Sequence, residues 1–162
     1  MATGLKPIRR IVSGNDEHGK SRVVWDGPAP STHPGPSGGS GYTDLWVWYE
    51  TPPLLSGDRD DGNLPYDFPG PANGGHLRVV HPRGRPANYN PAKDPDAVPA
   101  HEPMDRPSRR AWDRGGNNAY SGGMHKTETV DYGILLEGER GLVLDDHELV
   151  MHPGDIVVQV GA

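Results

Sequence analysis

The chain has 162 residues, a net charge of −6 and a pI near 5.7. Its basic residues lie in small clusters with acids nearby (Arg9, Arg10; Arg106, Arg109, Arg110), which argues against a nucleic-acid partner. It has no cysteine, which excludes disulfides, thiolate zinc sites and cysteine nucleophiles; no stretch approaches the ~20 apolar residues of a membrane helix, and Met1–Arg10 lacks the apolar core of a signal peptide, so the expected location is cytoplasmic.

The length predicts a single domain, 1–162. Hydrophobic residues make up only 33% of the chain, and it carries 23 glycines and 18 prolines. Sixteen of those prolines lie between Pro28 and Pro107, so a loop-rich middle (27–123) is expected between better-patterned ends (1–26 and 124–162).

In chain order, Ile8–Val12 and Ser21–Trp25 are β-branched runs around the polar turn Ser13–Gly19, the pattern of a hairpin. Gly27–Gly41, dense in Pro, Gly and Ser, reads as a flexible loop; its glycines are followed by no Lys-Ser pair or helix and are not a phosphate loop. Leu45–Tyr49 is a short aromatic strand, Thr51–Gly75 is turn-rich, and His76–His81 is a strand ended by Pro82. Asp58, Asp60 and Asp61 lack the ligand spacing of a calcium loop and read as a solvated loop. Arg83–Gly123 has little periodicity, with one helical turn possible over Met104–Trp112. Met124–Glu137 is a long strand, Gly138–Gly141 a turn, Leu142–Leu144 and Glu148–Met151 strands around the turn Asp145–His147, and Ile156–Val160 a last strand after the turn Pro153–Asp155. Short strands with frequent turns predict an all-β sandwich or barrel.

Side chains alternate faces along a strand. From His125, one face of the long strand carries His125, Thr127, Thr129, Asp131, Gly133 and Leu135, and the other Lys126, Glu128, Val130, Tyr132, Ile134 and Leu136. The first puts an imidazole, two hydroxyls and a carboxylate in line. The expectation is that this polar row lines a cavity and that a second layer, the amino-terminal arm or a dimer partner, covers the apolar row.

At these residues the chain resembles the cupin superfamily. His125 matches the first histidine of the first cupin motif, Thr127 stands where the second histidine would be, Asp131 where the glutamate would be, and Gly138 at the closing glycine; Ala119 takes the place of the opening glycine, with Gly122 and Gly123 nearby. Pro153-Gly154-Asp155 resembles the turn of the second motif, and the chain stops at Ala162, before the position of that motif's final histidine. His125-Lys126-Thr127-Glu128-Thr129-Val130-Asp131-Tyr132-Gly133 also resembles a subgroup of small single-domain cupins, as do Arg9–Gly14 and Val23–Pro28. The resemblance implies a double-stranded β-helix, or jelly-roll barrel, with long Pro/Gly-rich loops, truncated at its carboxy end or completed by another chain or by the proline-rich middle.

Cupins include metal enzymes, metal-free enzymes and binders, and three readings stay open. In the first, the chain is a lyase, isomerase or cyclase acting by proton transfer on a carbonyl-containing or aromatic metabolite of secondary metabolism. His125 would then be acid or base, partnered by Asp131, with Thr127 and Thr129 hydrogen-bonding a substrate oxygen. Trp46, Trp48, Tyr132 and His76 are its candidate substrate-binding residues. In the second, His125 and Asp131 hold Fe, Mn, Ni or Zn in a dioxygenase, although Thr127 replaces a ligand and catalytic metals take about three protein ligands. The third is a non-catalytic ligand-binding module. Each residue also has a plain reading: His125 as a packed structural histidine, Asp131 as the partner of an arginine, Trp46 and Trp48 as core, His147 and His152 as turn residues. His76 and His81 fall on opposite faces and cannot chelate together. The expected partners are a small-molecule substrate and a second copy, with neither nucleic acid nor membrane.

Overall fold

The computed structural model describes residues 4–35, 39–54, 60, 62–63, 68–85, 88–93, 102–107, 111–113 and 124–161. The described residues form twelve strands and a 3-10 turn (Pro91–Lys93), with no α-helix among them. The described residues are all-β, as the pattern predicts. Among the described residues no helix is long and apolar enough to cross a membrane. The strands group into five small antiparallel sheets in two compact units, Met1–Tyr89 and Asn90–Ala162.

The first unit opens on the expected hairpin, β1 (Arg9–Asn15) with β2 (Ser21–Pro28). Its turn is closed by Asp16, whose Oδ1 accepts the backbone N–H groups of His18 (2.9 Å) and Lys20 (2.8 Å). A bulge between Val12 and Ser13 shifts the register. On the β1 side Arg10 and Val12 are buried while Ile11 faces out.

The second sheet orders β3 (Ser31–Pro34), β4 (Gly41–Trp48) and β5 (Gly75–His81). β3 lies inside the stretch expected to be a loop. Pairing of Ser31 through Pro34 with Asp44 through Gly41 supplies the backbone partners that local composition could not reveal. β4 begins four residues before the aromatic run because Gly41 through Asp44 pair with both β3 and β5; Gly41 has a φ of 152°, and a Cβ there would collide with the His33 carbonyl oxygen.

The core of this unit is thin and polar. Among the described residues Leu5, Val12 and Ala29 are its buried apolar side chains, beside buried Arg10, Ser31, Thr43 and Asp44. Thr43 is fully buried, its hydroxyl within 3.3 Å of Thr32 Oγ1 and 3.1 Å of His81 Nε2. Two ion pairs hold the rest. Arg78 Nε donates to Asp44 Oδ1 at 2.6 Å, both side chains being buried, and the guanidinium lies over the Tyr42 and Phe68 rings. Arg10 donates through both terminal nitrogens to Asp60, each at 2.6 Å. Asp60 also accepts the Gly62 N–H, and the Gly62 carbonyl accepts the Ser31 hydroxyl. Asp60 is therefore no solvated-loop residue: a buried cation claims it, which its acidic neighbours in sequence concealed. Asp58 and Asp61 lie outside the described residues.

The second unit holds a three-stranded sheet of β6 (Met104–Arg106), β7 (Ala111–Asp113) and β8 (His125–Thr127), and a pair of β9 (Val130–Ile134) with β12 (Ile156–Val160). Its hairpin joins β10 (Arg140–Val143) to β11 (Glu148–Met151). Of the stretch Met104–Trp112, where one helical turn was considered, Met104–Arg106 and Ala111–Trp112 are strand and Pro107 is 3-10; residues 108–110 lie outside the described residues. The long strand expected over Met124–Glu137 is two strands separated by a bend at Glu128–Thr129. Gly161 explains the break: its N–H donates to the Thr129 carbonyl (2.9 Å) and its carbonyl accepts the Thr127 N–H (3.3 Å). The bend thus hands the chain from one sheet to another.

Candidate functional site

Despite the bend, the polar row stays on one side. The Thr127 and Thr129 hydroxyls are 2.7 Å apart, and Thr129 Oγ1 donates to Asp131 Oδ2 at 3.1 Å. A hydroxyl has one proton to give. Since Thr129 gives its own to Asp131, Thr127 must donate to Thr129, and the row runs toward the carboxylate. Thr127 is then left with lone pairs only, an acceptor for an incoming O–H or N–H.

His125 precedes this row on β8, on the same face as Thr127. Across the sheet its register partner is Asp113, and that of Thr127 is Ala111. Directly opposed residues of an antiparallel pair place their Cβ atoms ~4.5–5.5 Å apart, so the Asp113 carboxylate and the His125 imidazole are cross-strand neighbours. Asp113 is buried and ion-paired to Arg106 on β6, Nη2 to Oδ2, at 2.9 Å. On the opposite face the Lys126 ammonium lies 5.3 Å from the centre of the Trp112 ring, which turns that cation away from the row.

Asp113 and Arg106 were not legible as site residues. They sit on three-residue strands in an aperiodic stretch, and only the register of the folded sheet brings them beside His125. Among the described residues the expected enclosure is also absent: His125 and Asp131 are exposed, while Thr127 and Thr129 are half-buried. The reason is architectural, since β8 and β9 belong to different small sheets rather than to one closed wall. Ala119, Gly122 and Gly123, which precede His125 in the motif, lie outside the described residues.

The other expected residues fall elsewhere. Tyr132 lies on the face of β9 opposite to Asp131. Trp46, Trp48 and His76 belong to the first unit. There Trp46 pairs with Leu77 and Trp48 with Gly75, whereas His76 pairs with Val47 on the other face, and all three are half-buried. His76 and His81 do fall on opposite faces of β5. Among the described residues no three His, Asp or Glu side chains gather as metal ligands would. The described residues therefore supply no three-ligand donor set around His125 and Asp131.

No protein-family model matches the chain. Over 39 residues it is 51% identical to phomopsin biosynthesis cluster protein C' and to phomopsin biosynthesis cluster protein D, both of Diaporthe leptostromiformis. Each match covers 24% of this chain and 21% of the relative, so the chain matches about a fifth of the length of these curated relatives.

Proposed function

We propose that the chain is a small-molecule enzyme of the cupin class, acting by proton transfer on a carbonyl-containing or aromatic metabolite of secondary metabolism. The observation that carries the reading is the ordered row Thr127–Thr129–Asp131 in line with His125. His125 is the acid or base. Asp113, fixed by Arg106, faces it across the ladder and favours the imidazole orientation that presents one nitrogen outward. Thr127, with acceptor capacity only, binds a substrate hydroxyl or enol; Thr129 and Asp131 hold that threonine in its donor direction. Such an arrangement suits enolisation, dehydration or isomerisation, in which a C–H proton moves to a base and an oxygen changes its protonation. The cluster names of the two Diaporthe proteins support a biosynthetic rather than a structural role.

The test is a binding map. Purified protein is titrated with a panel of small hydroxy-ketones and phenols while its backbone amides are followed by NMR. Shifts concentrated on 125–131 and 111–113 for at least one compound are expected. Shifts absent there for every compound, or confined to the first unit, defeat the reading.

A further inference from the structure

The β9–β12 sheet has two unlike faces. Its register places Val130 against Val160, Tyr132 against Val158 and Ile134 against Ile156 on one face, and Asp131 against Gln159 and Gly133 against Val157 on the other. The second face carries the carboxylate that ends the polar row. The first, continued by Leu136, is wholly apolar apart from the Tyr132 hydroxyl, and its seven side chains are 51–76% exposed.

We propose that this face is the surface through which two copies of the chain associate, stacking their β9–β12 sheets face to face. The inference stands apart from the catalytic reading. Fully burying a Val, Leu or Ile removes roughly 60–120 Å² of apolar surface from water, and an aromatic side chain contributes ~150–250 Å². Seven such side chains, each more than half exposed, offer on the order of 500 Å² per copy. Two copies bury about 1,000 Å², which reaches the size that separates specific interfaces from incidental contact. A second copy fits better than a charged or polar partner because this face carries no charge within the ladder to recognise one. A closed pair needs a patch that matches itself, and an uncharged apolar face does so without like-charge repulsion. A two-stranded sheet is marginal alone; stacking sheets about 10 Å apart provides the layer it lacks.

Sedimentation equilibrium of the full chain across about 1–100 µM tests this. The expected mass is twice 17.5 kDa at the upper end. Tyr132→Glu and Val158→Lys, at the central rung, should each weaken association at least ~100-fold, because each buries a charge without a partner, while the far-UV circular dichroism stays unchanged. Amide exchange in β9 and β12 should slow as concentration rises, a readout on the wild-type chain that decides the matter if either variant loses its fold. A monomer at the highest concentration, whatever covers the face, overturns the proposal. So does association that both variants leave intact, or exchange in these strands that ignores concentration.

Discussion

Thr129 is the pivot of the polar row: it accepts from Thr127 and donates to Asp131. Thr129→Val keeps the shape and removes both bonds. Thr127 then loses its fixed donor direction, and turnover of any substrate bound there should fall by about 10²-fold, the lower range for a disrupted proton-transfer array. Thermal unfolding should move little, since the exposed Asp131 is resolvated. A turnover unchanged within about twofold would remove the row from the chemistry. Asp60 gives a second residue-scale prediction. The Arg10 guanidinium holds the Asp60 carboxyl below the ordinary aspartate value, chiefly through its hydrogen bonds, with the Gly62 N–H adding to the effect. A carboxyl depressed in the folded state contributes stability that is complete above the unfolded-state pKa of ~3.9 and is lost as pH falls through the lower folded value. The melting temperature should therefore drop as pH is lowered below about 4, and Asp60→Ala should flatten that slope. Because it leaves the buried Arg10 unpaired, that substitution should also cost about 3 kcal/mol at neutral pH, measured by denaturant unfolding; a loss under about 1 kcal/mol would mean that solvent readily replaces the carboxylate.

At the scale of the element, what could be read in advance tracked local signals. The hairpin β1–β2 was legible because β-branched runs flank a polar turn closed by its own aspartate, and Asp16→Ala should lower stability by ~1 kcal/mol, as loss of a side-chain cap to backbone donors does elsewhere. β11 and β12 keep the bounds expected of them, Glu148–Met151 and Ile156–Val160, since Asp145–His147 and Pro153–Asp155 punctuate them on the sequence. Three features were hidden. β3 is composed like a loop and becomes a strand only because β4 pairs with it. The bend at Glu128–Thr129 depends on Gly161, more than thirty residues away. The Asp113–His125 opposition depends on a sheet of three-residue strands too short to show any period. Alternation along 125–131 survives the bend, which is why the common side of Thr127, Thr129 and Asp131 could be read from spacing, while the register that sets Asp113 opposite His125 could not.

For the whole molecule, composition foretold the unusual balance of forces. A chain with 33% hydrophobic residues buries little apolar surface. The first unit is held instead by desolvated ion pairs, Arg78–Asp44 and Arg10–Asp60, and by a fully buried threonine. Meanwhile many large apolar side chains stand outward, among them six on β9 and β12. The polar row and the apolar row do fall on opposite faces of β9, but the row begins on the separate sheet of β8, and on β9 Asp131 and the apolar side chains are all exposed. What could not be read from the sequence was closure: alternation states which side chains share a face, but not what stands in front of that face.

The account rests on His125 as the group that moves a proton. The direct measurement is proton NMR of α-proton loss from hydroxy-ketones that bind the site, incubated in deuterium oxide with the wild-type chain, with His125→Ala and with His125→Gln. The account predicts accelerated exchange with the wild type and a fall of at least ~10²-fold toward the uncatalysed rate in both variants, their fold and binding being retained. Exchange as fast in His125→Ala as in the wild type, or no acceleration by the wild type of any bound compound, would contradict it.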